Sequence, residues 1–402
     1  MPTQKFTSTA NTRGARKIAI RFVLLIGVLS FFADFTYEGS RSILGSYLGT
    51  LGATATVVGV VTGFGELLGY SLRLVSGRWA DATGHFWPIT ILGYVVQMAA
   101  APALALTNSW QAAAVFIILE RVGKAIRNPP RDVMLSHAAK QIGGYGTVFG
   151  IHEALDQLGA LFGPLLVAFI LANQGNYHEA FAVLLIPALI NLAFVALARL
   201  LYPRPQDLEQ PPPQVVSDGL PRIFWLYLAG AALVAAGFAD YPMIAYHFGK
   251  THTVPNDWIA IFYAVAMAVS GTASLVSGRL FDRFGFSILI ALTFAAALFA
   301  PLVFLGDFWL ALIGAAIWGM GMGVHESIIP AAVAPMVPLH RRASAFGLFT
   351  AGYGVFWFLG SAATGILYDV SIFATISFCI VTQLAAIPIF IAVGRRLLSF
   401  KP

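Results

Sequence analysis

Apolar residues in this chain come in long unbroken runs, neither the alternation of a half-buried strand nor the one-sided stripe of a soluble helix. Runs of about 20 residues, the length that crosses roughly 30 Å of hydrocarbon, can be laid down twelve times. They fall near Arg21 to Leu48, Thr56 to Arg78, Phe86 to Thr107, Trp110 to Arg127, Gly146 to Leu171, Glu179 to Leu201, Arg222 to Phe248, Asp257 to Arg279, Phe286 to Leu305, Phe308 to Met336, Ala343 to Tyr368 and Ser371 to Val393. The one long interior break is Tyr202 to Pro221, where Pro203, Pro205, Pro211, Pro212 and Pro213 stand among acidic and polar residues. The pattern predicts an all-α membrane protein of twelve transmembrane helices, six in residues 1–201 and six in residues 222–402, joined by a linker at 202–221.

Composition agrees: 58% of residues are hydrophobic and only 10% charged, too little polar surface to cover a soluble globule. Charge then orients the spans, because Lys and Arg gather on the cytoplasmic side. With both termini cytoplasmic, every one of the 24 Lys and Arg residues except Arg41 and Lys250 falls on the inner side or the inward half of a helix. The net charge of +6 therefore reports topology and gives no support to a nucleic-acid partner. The polar, basic stretch through Lys17 leads into a span too long for a signal-peptide core, so it is expected to be retained. The single Cys379 lies in the last span, which rules out an intrachain disulfide and offers no thiol site for a metal.

The chain is written twice. Ser76-Gly77-Arg78-x-x-Asp81-x-x-Gly84 recurs as Ser277-Gly278-Arg279-x-x-Asp282-x-x-Gly285, 201 residues later in a chain of 402. Each copy ends an even-numbered span, the second and the eighth, at the inner face. A shorter echo, Phe32-Ala33-Asp34 and Phe238-Ala239-Asp240, places an acid at similar depth in the first and seventh spans. Half-length repeats in an apolar chain mark a transporter built from two related bundles.

Twelve spans, a central linker and this twice-used loop resemble the major facilitator superfamily over essentially the whole chain, and the resemblance implies its fold of two pseudo-symmetric six-helix bundles and a monomer. The family's loop pattern, roughly G-x-L-A-D-R-x-G-R-K, keeps both glycines and the acid in the first copy but loses the Arg after Asp81; the second copy retains Asp282-Arg283 and Gly285. The resemblance implies a gate made of Gly77, Arg78, Asp81, Gly84, Gly278, Arg279, Asp282 and Gly285. There the Asp meets the inner end of a helix from the opposite bundle and steadies the outward-open state. In the fifth span, Gly150, Gly159, Gly163 and Pro164 match the spacing of a motif associated with antiporters in this superfamily, with Val167 and Ala168 where two further glycines would follow. The match implies export, with ordinary close packing of helices as the alternative reading of these glycines. Residues 121–132, from Arg121 through Pro129-Pro130 to Asp132, resemble a signature of one broad bacterial branch that fixes no substrate.

Charges inside the bilayer point to the chemistry, because each costs about 2.5 to 3.5 kcal/mol on insertion scales. Asp34, Glu38 and Arg41 share one face of the first helix; Glu66 and Arg73 lie on the second, Glu120, Arg121, Lys124 and Arg127 on the fourth, and Glu153 and Asp156 on the fifth. Asp34 and Glu38, one turn apart, cannot both ionise cheaply, so one of them is a candidate to exchange a proton, unless Arg41 or a fourth-helix base neutralises it. Glu153 and Asp156 join them as coupling candidates. The bases of the fourth helix descend toward Pro129-Pro130, where the helix is expected to be interrupted. They either attract an anionic substrate or pair with Glu153 and Asp156. The second half carries only Asp240 and His325-Glu326 at depth. In this family the first, fourth, seventh and tenth helices line the central cavity. Candidate substrate contacts are thus Arg41, Glu120, Arg121, Lys124, Asp240, His325 and Glu326, with an aromatic wall of Tyr241, Tyr246, Trp318, Tyr353, Phe356 and Trp357.

An enzyme finds little support. His152-Glu153-x-x-Asp156 matches the zinc H-E-x-x-H pattern only in part, and Gly249-Lys250-Thr251 has Ile244 where a phosphate-binding loop needs glycine. No cofactor and no metal are expected. The sequence thus points to a multi-pass protein of the bacterial cytoplasmic membrane that works with lipid, protons and a small-molecule substrate. Proton-driven export of a small organic compound is the first reading, and proton-linked import of a nutrient or metal-chelating metabolite the second. A channel or a transporter-like sensor are further alternatives.

Overall fold

Lipid offers no hydrogen bonds to a backbone, so an apolar chain crossing it folds as helices that satisfy themselves internally. The computed structural model describes residues 6–142, 145–203, 220–333, 336–337 and 342–399, and among these there is no strand. The first half comprises α1 (Phe6–Thr50), α2 (Ala55–Thr83), α3 (Phe86–Ala103), α4 (Trp110–Ile142), α5 (Tyr145–Ala172), and the pair α6 (Tyr177–Val183) and α7 (Leu185–Leu201), which together form one span. The second comprises the pair α8 (Arg222–Gly237) and α9 (Tyr241–Thr251), α10 (Asn256–Phe284), α11 (Phe286–Ala297) with α12 (Phe299–Leu305), α13 (Phe308–Glu326) with α14 (Ile328–Ala331), α15 (Arg342–Val370) and α16 (Ile372–Ser399). Most of the linker at 202–221 lies outside the described residues.

Eleven of the twelve spans are apolar enough over 18 residues to be recognised as membrane-crossing by composition alone. The exception is α4, whose 33 residues include Glu120, Arg121, Lys124, Arg127, Arg131 and Asp132. Its charges are hidden from lipid by the neighbours that pack around it, chiefly α2 and α3. Elsewhere the outer surface is lined with exposed Leu106, Phe169, Leu200 and Val370, as a bilayer-facing belt requires.

The two halves repeat one pairing scheme. Within the first, α2 packs on α4, α3 on α4, α3 on α7 and α1 on α5; within the second, α10 packs on α13, α12 on α13, α11 on α16 and α8 on α15. Both motif copies end their helices on a glycine of positive φ, left-handed at Gly84 (ψ 7°) and in a different region at Gly285 (ψ -139°). Gly84 and Gly285 have φ of 66° and 59°, a backbone that glycine adopts freely, and their N–H groups close the last turns on Ala80 and Phe281.

Two departures from the expected elements follow from proline. Pro129-Pro130 does not interrupt α4, which runs on to Ile142. Pro129 has no N–H for the carbonyl of Ala125, and the hydroxyl of Ser76 on α2 donates to that carbonyl instead, at 2.8 Å. The seventh span, expected to be continuous, is broken at 238–240 just before Pro242. Its freed carbonyls find side-chain donors: Trp318 Nε1 donates to Ala239 at 2.8 Å and Gln383 Nε2 to Gly237 at 3.2 Å.

Because the spans alternate in direction, the start of α1 and the end of α16 lie on one face, the termini face. The α1–α2 turn at 51–54 lies on the other, the hairpin face.

Candidate transport cavity

One face of α1 organises the charges of the first half. Asp34, Tyr37, Glu38 and Arg41 follow at helical spacing, and the ring of Tyr37 sits among three cations, with Lys124 Nζ at 3.9 Å from its centroid and the guanidinium carbons of Arg121 and Arg41 at 4.7 and 5.9 Å. Arg121 pairs with Glu66 at 2.8 Å, while Arg41 reaches Glu66 at 3.4 Å and Glu38 at 3.8 Å. Arg41 also pairs across the molecule with Asp240, whose position depends on the break in the seventh span. Tyr263 of α10 donates its hydroxyl to Glu38 at 2.5 Å. The two halves are therefore joined here through buried polar groups.

A second chain of contacts runs from α1 through α4 to α3. Asp34 pairs with Arg127 at 3.4 Å and Lys124 at 3.8 Å; Arg127 donates to Gln97, and Gln97 donates to Glu120 at 2.8 Å. Gly93 and Gly123 permit it, since a methyl on either would press on the backbone of the facing helix at about 2.6 Å. The sequence leaves two readings of Asp34 and Glu38, that one of them exchanges a proton or that Arg41 or a fourth-helix base neutralises them; here Glu38 lies beside Arg41, and Asp34 beside Arg127 and Lys124. Tyr37, Tyr263, Gln97 and the bond that Ser76 makes to α4 were not anticipated. The signal for Tyr37 was its spacing from Asp34 and Arg41, whereas the other three come from distant segments.

Removing one partner of a buried ion pair leaves the other uncompensated, at about 3–5 kcal/mol. Asp240→Ala should therefore lower the melting temperature in detergent sharply, and Arg41→Met combined with Asp240→Leu should recover only part of the loss, because Glu38 then loses its base. A double variant as unstable as the single one would show that the pair itself is not what matters.

Toward the termini face from this level the halves part around a cavity of about 670 Å³. The first half contributes Asp34, Glu38, Lys124, Arg127, Arg131 and the α5 face of His152, Glu153 and Asp156; the second contributes Met267, Met322, His325, Glu326 and Trp357. Glu153 and Glu326 face open space, and neither has an Arg or Lys ion pair among the described residues. Asp156 approaches only His152, at 3.6 Å, and the other nitrogen of that ring meets Ser30 at 2.7 Å. Arg131 is occupied by Asp132 at 2.8 Å and Ser30 at 3.2 Å. Arg41, Arg121 and Glu66 border a smaller space of about 90 Å³ that shares Lys124, Glu326 and Trp357 with the main cavity.

Not every expected contact lies on this cavity. Tyr241 and Trp318 are fully buried in second-half packing, the Tyr241 hydroxyl donating to Ile259 at 2.7 Å. Asp240 and Glu120 sit deeper, in the ion-pair and amide networks. Tyr246 packs beside Gly49 near the hairpin face, and Phe356 is 42% exposed on the outer surface, so of the aromatic wall only Trp357 lines the cavity. Tyr353 stands behind it, hydrogen-bonded to His325.

On the hairpin side the halves touch closely. A methyl at Gly45 of α1 would run into the Pro242 carbonyl of α9, one at Gly59 of α2 into the Ser361 carbonyl of α15, and one at Gly365 into the Ala55 carbonyl. At the other end Gly84, Gly278 and Gly285 have nothing within 4 Å of a built methyl, Gly77 meets only Pro129 at 3.5 Å, and Arg78, Arg279 and Asp282 are exposed. The side chain of Asp81 lies outside the described residues. Gly159 and Gly163 of α5 press on the carbonyls of Phe31 and Phe35 of α1, whereas Gly150 contacts nothing and borders the cavity; Pro164 leaves α5 unbroken.

Comparison with known proteins agrees with this architecture. A family model described as Major Facilitator Superfamily matches residues 24–361 and 226–397. An uncharacterized protein of Mycobacterium tuberculosis (strain ATCC 25618 / H37Rv) is 39% identical over 382 residues, covering 93% of each chain. An uncharacterized MFS-type transporter of Methanocaldococcus jannaschii is 26% identical over 365 residues, 87% of this chain and 89% of its own. Among solved structures, a mutant of the nucleoside transporter NupG superposes with a TM-score of 0.72 at 14% identity, over 95% of this chain and 100% of that one, a likeness of fold. With two matching bundles, a cavity between them and a family model spanning both halves, the chain belongs to the major facilitator superfamily and is a multi-pass membrane transporter.

Proposed function

We propose that this transporter exports a small organic molecule in exchange for protons, with the bundles at 1–201 and 222–402 rocking about the cavity and 202–221 linking them. One observation carries the reading: Glu153 and Asp156 from one half and Glu326 from the other border a single cavity, without an Arg or Lys ion pair among the described residues. Carboxylates gathered around one cavity repel each other, and that repulsion is relieved by a proton or by a bound cation. Competition between the two is what exchange requires: substrate displaces proton on one side, and proton displaces substrate on the other.

The same carboxylates favour a positively charged organic substrate, with Met267, Met322 and Trp357 meeting its apolar body. His152, Glu153 and Asp156 each present a ligand atom within 4.8 Å of the others, a spacing suited to one cationic centre. With the Lys- and Arg-rich face in the cytoplasm of a bacterium, the cavity opens where an exporter loads, and the fifth-helix glycines agree with antiport. The acting unit is a monomer. Import is the second reading, because Arg73, Lys124, Arg127 and Arg131 also border the cavity and would suit an anionic nutrient or metal chelate moving with protons.

A thermal-shift screen of metabolites and drugs, followed by flux in reconstituted vesicles with a pH-reporting dye, separates these. Expected is a cationic hit that moves opposite to the proton. Movement in the same direction would establish import, and a flux indifferent to the gradient in both orientations would remove proton coupling altogether.

A further inference from the structure

The first turn of a helix leaves four N–H groups without partners in its own backbone. In α2 all of them are accounted for. Val58 bonds to the Thr54 carbonyl and Val57 to the Thr54 hydroxyl, both local. Ala55 and Thr56 instead donate their N–H groups to the carboxylate of Asp369, at 3.1 and 2.8 Å, and the Thr56 hydroxyl donates to it at 2.6 Å. Asp369 stands one residue from the end of α15, in the other half of the molecule, 313 positions away from Thr56.

A carboxylate accepting from a helix N-terminus gains both charge-assisted hydrogen bonds and the favourable end of the helix dipole. Here that gain exists only while the halves touch at the hairpin face. We infer that Asp369 is a positioning residue of the transport cycle, a latch that holds the hairpin side shut by capping a helix of the opposite bundle. The seam beside it makes the fit possible, since Gly59 and Gly365 bring α2 and α15 into backbone contact. The contact is one-sided. At the related seam between α5 and α10, α5 ends at Ala172, and the next residue, Asn173, bonds back to Phe169 of its own helix. The Asp369 latch depends on neither the coupling ion nor the direction of transport.

The test uses the full-length protein with Cys379→Ala and a reporter Met322→Cys in the cavity, labelled in oriented vesicles by a membrane-impermeant maleimide from either side. Asp369→Asn keeps the shape, halves the acceptor capacity and removes the charge. It should raise labelling from the hairpin side relative to the termini side by about tenfold. Asp369→Glu should restore much of the parent ratio. Thr56→Val, which deletes one donor and leaves both N–H groups, should shift the ratio the same way by less, and it decides the matter if Asp369→Asn folds poorly. A purely structural role would lower melting temperature and leave the ratio alone; a ratio within about twofold of the parent in Asp369→Asn and Thr56→Val overturns the latch.

Discussion

Vesicles carrying Glu38→Gln are expected to transport substrate without responding to an imposed pH gradient, and Asp34→Asn should behave the same way. Glu38 accepts the Tyr263 hydroxyl at 2.5 Å and attracts Arg41 at 3.8 Å, so its charge ties α1 to α10 across the seam. Taking up a proton would cancel the pull on Arg41 and weaken the tie. Charge-assisted bonds of this kind are worth about 1.5–3 kcal/mol, which is about 10- to 150-fold in the balance between conformers. A permanent amide fixes the protonated arrangement of this tie, so proton exchange at Glu153, Asp156 and Glu326 is no longer coupled to the change of state. Asp34 holds Arg127 and Lys124 at the cavity edge, and its neutralisation releases two cations toward the substrate path. The readout is substrate flux with and without the gradient. Gradient-driven transport equal to the parent in both variants would falsify their role and leave Glu153, Asp156 and Glu326 as the exchanging set.

Gly45→Leu is expected to abolish transport while leaving a folded protein. The built methyl at this position already collides with the Pro242 carbonyl, and the rest of a leucine side chain would need α1 and α9 to separate. Overpacking of about 3 kcal/mol is enough to shift the balance about 150-fold away from the state closed at the hairpin face. The cavity should then be labelled from the hairpin side, and flux should fall to that of empty vesicles. Gly159→Leu is the control: it collides with Phe31 of α1 inside one bundle, so it should impair folding instead. Wild-type flux in Gly45→Leu would mean that α1 and α9 need not meet during the cycle.

Much of the scaffold could be derived from the residues in order. Twelve apolar runs, the twin motifs and their glycines required no tertiary information, because lipid imposes helices and a glycine at the end of a span stops one. The breaks at 238–240 and Ser327 were missed for a related reason. A helix with a proline can continue or break, and the choice lies with remote donors: Ser76 preserves α4 at Pro129, while Trp318 and Gln383 stabilise the break before Pro242.

The candidate site divides the same way. Spacing along α1 put Asp34, Glu38 and Arg41 on one face, and the intramembrane cost of charge singled out the acids of α5 and α13. Nothing in the linear order says that Arg41 chooses Asp240, that Tyr263 finds Glu38, or that Asp369 caps α2, since those partners stand about 200 to 300 positions apart. By itself the sequence determined the membrane, the number of spans, the twofold repeat and the set of charges, all of which follow from local hydrophobicity and local backbone freedom. Only the tertiary structure decided which charges are spent on one another and which remain facing the cavity, because electrostatic partners are selected by distance in space, and that is set by how the two bundles meet.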